Sequence, residues 1–426
     1  MIALLLAFQA GLGPGDSLPQ ITLRDALQRA ARLDPGYVRA LGTVETSVWA
    51  RRAALTAMVL PSLTASTDYT AFTIDQFNVG IGAPARTTAS MRLDARFELF
   101  TGGRKTADVS RTAADLESAH AGEVQQRFLT ALDTEADYYS VLSNRELLDV
   151  ARDRLRRAQE GFAAARIRVV SGAAVPTDSL QLVLELDRAR IALLQAESGL
   201  RVARLRLGRR VGMAGGVDAV PLDPAPAPDL PIGLAEAVQQ ALDQGPEYRV
   251  ARANERSADA ALRARSATYL PQAVVSANSI SFGDRPFTRG LSRSSITFSL
   301  SFPIWDNTQR ELTFSRASTA RDLARATRED LERSAEADVT AAYEAYQTAR
   351  ATAEVSTHGL EVAREVYRVQ QARYRAGAST ILDLLDAQTA LTEAQATLVQ
   401  ARYAARLALA GLEAMLGRRL FPDKEP

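Results

Sequence analysis

Thr22-Leu-Arg-Asp-Ala-Leu-Gln-Arg-Ala30, followed by Asp34-Pro35-Gly36-Tyr37, is written a second time as Gly233-Leu-Ala-Glu-Ala-Val-Gln-Gln-Ala241, followed by Gly245-Pro246-Glu247-Tyr248. Leu60-Pro61 returns as Leu270-Pro271, and Phe97-Glu-Leu-Phe100 as Phe302-Pro-Ile-Trp305. Further on, Gly172, Asp178, Leu180, Ala189, Ala196 and Gly212 pair without gaps with Gly377, Asp383, Leu385, Ala394, Ala401 and Gly417. A repeat at this scale fixes the architecture before any local reading does. Residues 16–217 and 232–417 therefore read as two copies of one unit. Residues 218–231 hold five prolines, which forbid a helix and stiffen the backbone, so they read as a tether between the copies. Residues 418–426 are a short C-terminal tail.

Each copy has the same grammar. A helical stretch (22–59, 233–269) ends at Leu-Pro, where the proline removes a backbone donor. Two strand-like runs follow. Then come the long segments 104–168 and 307–376, free of proline and rich in Ala, Arg, Glu and Leu. At 1.5 Å per residue each is a rod on the order of 100 Å, the length of a coiled-coil or helical-tube element. A glycine-containing turn returns the chain through another helix, 177–212 and 380–417. Residues such as Val109, Ala113, Leu116 and Ala119 recur at helical spacing and need neighbouring helices to cover them.

The strand runs alternate. Ala89, Met91, Leu93, Ala95, Phe97 and Leu99 interleave with Ser90, Arg92, Asp94, Arg96 and Glu98; Ile296, Phe298, Leu300, Phe302 and Ile304 interleave with Thr297, Ser299 and Ser301. Period two over about ten residues, with charge on one side, fits a strand showing lipid one face and water the other. A half-buried sheet in a soluble protein gives the same pattern. Residues 62–72 alternate more weakly, and 272–282 are mixed. Four strands cannot close a barrel, and open edges in lipid leave backbone donors unsatisfied, so a membrane sheet here requires several chains.

The totals exclude other classes. The chain has 426 residues with 51 basic and 50 acidic side chains, so no positive field exists to attract nucleic acid. The absence of cysteine removes disulfides, thiolate metal sites and a lipidated N-terminal Cys. No run of about 18 apolar residues is present to span a bilayer as a helix. Residues 1–15 begin Met1-Ile-Ala-Leu-Leu-Leu-Ala-Phe8 and read as a signal segment lacking its basic start. Gly102-Gly103-Arg104-Lys105 lacks the spacing and hydroxyl of a phosphate loop and reads as a strand-to-helix turn. His120 and His358 are far apart on helices, and no nucleophile, base or metal cluster recurs, so neither enzyme nor cofactor is expected.

Three motifs sharpen the picture: Phe100-Thr-Gly-Gly-Arg104, Arg168-Val-Val-Ser-Gly-Ala-Ala174, and Arg373-Tyr-Arg-Ala-Gly-Ala-Ser-Thr-Ile-Leu-Asp-Leu-Leu-Asp-Ala-Gln388. With the duplicated order of helix, strands, long helix, turn and helix, they resemble the TolC-like outer-membrane efflux protein family over nearly the whole chain. The resemblance implies a mainly α fold with a β portion: a periplasmic α-barrel, and four strands per chain in a shared twelve-stranded barrel of a homotrimer. It implies a passive exit duct in the outer membrane, serving tripartite efflux or type I secretion, opened by an inner-membrane pump and a periplasmic adaptor.

It also places Asp383 and Asp386, with Asp178 of the first repeat, at a periplasmic constriction. Stacked carboxylate rings there would prefer cations; otherwise the two are an acidic helix start. Gly172, Ala173, Gly377 and Ala378 become adaptor-contact tips, and Met91, Leu93, Phe97, Ile296, Phe298, Leu300 and Phe302 the lipid-facing set. Where the family often has an Arg that closes the tip, this chain has Ser379; Arg373 and Arg375 stand near. The competing reading is a soluble periplasmic coiled-coil adaptor, for which the apolar band from Ile296 to Phe302 has no use.

Overall fold

The computed structural model describes residues 18–170, 175–222, 226–287 and 291–421; the signal segment lies outside them. The chain forms two compact units, each drawn from both repeats. One comprises residues up to 39, 124–245 and 335 onward; the other comprises 40–123 and 246–334. The repeats are thus not the compact units, because each repeat gives strands to one unit and a helical hairpin to the other.

In the first repeat, strand β1 (Gln20–Ile21) leads to helices α1 (Leu23–Leu33) and α2 (Pro35–Val59), strands β2 (Ser62–Asn78) and β3 (Ala83–Phe100), and helices α3 (Arg104–Val170) and α4 (Pro176–Arg210). After strand β4 (Asp218–Ala219) the second repeat gives α5 (Leu234–Gln244), α6 (Pro246–Ser266), β5 (Gln272–Gly283), β6 (Leu291–Ser301), α7 (Gln309–Arg375) and α8 (Ile381–Leu416). Each expected leading helix is therefore two helices. Pro35 and Pro246 open the second of each pair, since a ring without N–H is tolerated only in a first turn. Asp34 supports the break by accepting the Tyr37 N–H at 2.8 Å.

The mixed-repeat sheet belongs to one unit. Its order is β2-β3-β5-β6, every neighbour antiparallel, so β3 of the first repeat bonds β5 of the second. β2 is longer than its alternation suggests, running on to Asn78 past an irregularity between Ala71 and Gln76. β6 stops at Ser301, which leaves Phe302 and Ile304 beyond the strand; Pro303 has no donor to continue the ladder. Outside the sheet, Ser118 of α3 donates to Asn254 of α6 at 2.8 Å and Arg256 pairs with Glu117 at 2.8 Å.

The other unit packs helices around the tether. β1 and β4 pair in parallel, Ile21 opposite Ala219. Against them lies a core of Tyr138, Val141, Leu142, Leu200, Leu207 and Val217. The Tyr138 hydroxyl donates to the Val220 carbonyl at 2.7 Å, and burial, the largest influence on it, pushes its pKa up to about 12. Its repeat equivalent Tyr343 donates to the Ile232 carbonyl at 3.4 Å. Within the tether itself, Tyr138 holds Val220 and Tyr346 donates to the Pro228 carbonyl. Near the C-terminus, Arg419 spans two buried carboxylates, Glu135 at 2.6 Å and Glu413 at 2.8 Å.

The turns from sheet to long helix show how the copies solved one problem with different residues. Gly102 and Gly103 have φ of 62° and 90°; their equivalents Asn307 and Thr308 have 57° and 62°. Left-handed backbone suits glycine and is strained for β-branched threonine. The Trp305 indole N–H donates to Asn307 Oδ1 at 3.0 Å, which helps fix the turn. A Cβ on Gly102 would meet the Ala267 carbonyl oxygen at 2.7 Å, whereas one on Gly103 would meet nothing nearer than Thr106 at 3.8 Å. Gly103→Ala should then cost about 1–2 kcal/mol from backbone strain alone, Gly102→Ala clearly more, and Thr308→Gly nothing. Chemical denaturation of the three purified variants checks this order; equal losses at the two glycines would disprove it.

Candidate functional site

Two surfaces carry the residues singled out by the sequence: the faces of the sheet, and the ends of the long hairpins.

Directly opposed residues of an antiparallel ladder point to the same side, so the register assigns faces. One level runs Leu63, Ala95, Ala277, Ile296; the next contains Phe97, Val275 and Phe298; beyond it, Ala273 faces Leu300. Ala65 and Leu93 share this side, as do Thr67 with Met91 and Tyr69 with Ala89. Met91, Leu93, Phe97, Ile296, Phe298 and Leu300 therefore lie on one face, and Leu63 and Val275 belong with them. Ile296 is 81% exposed, Phe298 64% and Leu300 67%.

The opposite face is polar. Its levels run Ser66, Arg92, Ile280, Arg293; then Thr64, Asp94, Asn278, Ser295; then Ser62, Arg96, Ser276, Thr297. Asn278 Nδ2 donates to Asp94 at 2.6 Å across β3 and β5. The mixed pattern of 272–282 becomes intelligible here. Val275 and Ala277 join the apolar face, Ser276 and Asn278 the polar one, and farther along Ser279 and Ser281 exchange sides with Ile280 and Phe282.

At the other surface, α3, α4, α7 and α8 meet around Ala165, Leu182, Tyr374, Ile381 and Leu384. Arg154 on α3 pairs with Glu185 on α4 at 2.9 Å. Arg157, whose pKa burial lowers, reaches Thr392 at 3.3 Å and Gln395 at 3.4 Å on α8. The second hairpin turns through a Schellman motif. Gly377 has φ of 73°, its N–H donates to the Tyr374 carbonyl at 3.1 Å, and the Ala378 N–H donates to the Arg373 carbonyl at 2.9 Å. Arg373 also reaches the Ala378 carbonyl oxygen at 3.4 Å, holding to its own turn. Gly172 and Ala173 of the first hairpin lie outside the described residues.

Asp383 is the third residue of α8 and completes a capping box. Its N–H donates to Thr380 Oγ1 at 3.2 Å, and its carboxylate accepts the Thr380 N–H at 2.9 Å. That backbone bond, followed by the Thr380 hydroxyl, lowers the Asp383 pKa below the ordinary 3.8. The helix-start reading of Asp383 is thus realised in the fold, and its charge is held in place by it. Asp386 is exposed three residues on. Asp178 is half-buried in the first turn of α4 and, among the described residues, has no ion-pair partner. Ser379 Oγ lies 3.4 Å from the Thr380 carbonyl oxygen.

With this geometry in view, the similarities to known proteins are direct. Residues 21–213 and 237–418 both match the outer membrane efflux protein family. Protein CyaE of Bordetella pertussis is 27% identical over 393 residues, 88% of this chain and 80% of the relative. The cobalt-zinc-cadmium resistance protein CzcC of Cupriavidus metallidurans is 25% identical over 319 residues, 72% of each. Among solved structures, the Campylobacter jejuni CmeC outer membrane channel superposes with a TM-score of 0.78 at 14% identity, covering 93% of this chain and 85% of that one. The fold and family are those of channels rather than enzymes. The chain belongs to the outer membrane efflux protein family and is an outer-membrane channel component of efflux or export, extending into the periplasm.

Proposed function

We propose that three copies of this chain close one twelve-stranded barrel in the outer membrane and one helical duct in the periplasm. The observation that carries the reading is the open four-stranded sheet, apolar across one face and charged on the other. In lipid, its two edges demand strands from neighbours. Two copies would give eight strands, a barrel filled by its own side chains; three give twelve and leave room for water beside Arg92, Asp94 and Arg96. The helices also call for neighbours. Leu180, Leu184, Ile191 and Leu194 on α4, and Val355, Val362, Val366 and Val369 on α7, are exposed at helical spacing. Detergent extraction of outer membranes followed by cross-linking should give a trimer; a monomer in the soluble periplasmic fraction would sink the proposal.

The apolar face, Met91, Leu93, Phe97, Ile296, Phe298 and Leu300, meets lipid in this reading, and Phe302 marks its border just past β6. Phe298→Arg or Leu300→Arg should then destabilise insertion by roughly 2–4 kcal/mol near the bilayer midplane, while Ser299→Arg, facing water, is tolerated better. Urea titration of the folded protein in vesicles measures the contrast, and equal losses at both faces would refute the assignment.

At the hairpin ends, Asp383 and Asp386, with Asp178, form the periplasmic constriction; Gly172, Ala173, Gly377 and Ala378 are the tips that a periplasmic adaptor touches, linking the duct to an inner-membrane pump. The cargo classes named for the relatives, cobalt, zinc and cadmium among them, enter only as candidates for this chain. Changing Asp383 and Asp386 to Asn should reduce cation preference and block by multivalent cations in planar-bilayer recordings, with Asp338→Asn, an exposed acid well inside α7, as the control. The Thr380 hydrogen bonds favour the ionised form of Asp383, which suits it to carry part of that preference. An unaltered selectivity in the double variant removes these residues from the gate.

A further inference from the structure

The polar face of the sheet holds more positive charge than its neighbours neutralise. Arg92 and Arg96 on β3 and Arg293 on β6 are exposed. Arg92 stands opposite Ile280, and Ile280 opposite Arg293, so the two arginines share a level two strands apart, about 10 Å. Ile280 between them is buried, 7% exposed. Ser66 completes the level on β2.

The acids near this row hydrogen-bond or pair with other groups, and Asp94 and Asp68, whose partners are neutral, keep their charge. Asp94 lies along β3 between Arg92 and Arg96, yet its carboxylate accepts from Asn278 at 2.6 Å. Asp68 accepts from Ser90 at 3.4 Å. Glu98 pairs with Arg104 at 2.6 Å, and Asp75 with Arg86 at 3.0 Å. Among the described residues, Arg92, Arg96 and Arg293 have no carboxylate within ion-pair distance. On the four levels from Asp68 opposite Ser90 to Ser62 opposite Arg96, three arginines stand with two aspartates, a surplus of one positive charge per chain, and Glu98 on the next level is taken by Arg104.

We propose that Arg92 and Arg293, with Arg96 a level away, form an anion-binding step in the barrel wall, taking the phosphate, sulfate or carboxylate groups of compounds that pass. The inference rests on the reading of the polar face as lumen and deepens it by naming a cargo chemistry. Guanidinium suits such a step because it stays charged and its planar fork matches two oxygens of such a group. Spacing of about 10 Å lets one compound with two anionic groups, or a polyanion, engage both arginines at once. In a trimer the level repeats three times around a narrow lumen, where screening by salt is weaker than on an open surface. Its sign is opposite to that of the Asp383 and Asp386 rings.

The test uses the full chain, purified in detergent and inserted into planar bilayers, with Arg92→Gln/Arg293→Gln as the variant and Arg86→Gln, which is paired with Asp75, as the control. Inorganic tripolyphosphate is the probe. The double variant should bind it more weakly by roughly tenfold or more in calorimetric titration. Its zero-current potential in a salt gradient should shift toward cation preference, and the control should do neither. Calorimetry requires no open gate, and a cross-linked trimer shows that the variant has folded. A folded double variant with unchanged tripolyphosphate affinity and zero-current potential overturns the anion step while leaving the channel reading intact. A wild-type protein that neither trimerises nor conducts overturns the channel reading, and this inference with it.

Discussion

Everything in this chain depends on the pairing of β3 with β5. Each repeat carries only a two-stranded ribbon, marginal by itself even in water. The antiparallel ladder from Ala89 opposite Gly283 to Phe100 opposite Ala273 joins the ribbons into one sheet and gives it two coherent faces. A slip of one residue would exchange those faces, placing Arg92 and Arg96 among Ile296 and Phe298. The charged alternation of β3 makes such a slip costly. β5, with its mixed sequence, takes its register from the neighbours on both sides.

Duplication explains why the rest follows in pairs. Tyr138 and Tyr343 donate to the carbonyls of the equivalent residues Ile21 and Ile232, and Gly102-Gly103 and Asn307-Thr308 occupy the same left-handed turn. The copies have diverged where one residue can replace another's physics. Glycine reaches positive φ without cost; Asn307 reaches it with the Trp305 indole as a partner. Proline sets the opposite boundary: Pro35 and Pro246 start helices, and Pro303 follows the last residues of β6.

Much of this is legible in the sequence because the signals are long. Helices of 67 residues at α3 and α7 announce themselves by composition, and the alternation at 89–99 fixes faces without any partner. Shorter signals are harder. The break of each leading helix is written in Asp34-Pro35 and Gly245-Pro246, but an apolar pattern that runs through it conceals it. Phe302 continues the period of Ile296, Phe298 and Leu300, although Pro303 has already removed the donor that a strand needs. The sides of Ile280 and Phe282 are beyond sequence reading, since 272–282 has no single period and its faces come from opposed residues on β3 and β6. At the hairpin end, Thr380-x-x-Asp383 is a capping box in plain view, yet the spacing of Asp383 and Asp386 on one helix face draws the eye to pore charge first.

That capping box bears on what the carboxylate can do. A carboxylate that accepts a backbone N–H has its rotamer fixed and its ionised form favoured, so Asp383 is a charge whose position and sign are set by the helix it starts. Asp386, three residues on, makes no such capping bond among the described residues, so its rotamer is not fixed in that way. If both face a lumen, they serve differently: Asp383 contributes a charge held in place by its cap, while Asp386 can move to meet a passing ion. A gate built from one fixed and one adjustable ring discriminates by charge without binding its cargo tightly, because only the adjustable ring can close around an ion and it must give up solvent contacts to do so. Capping and gating are therefore compatible roles for one aspartate, the first being what makes the second independent of the other chains.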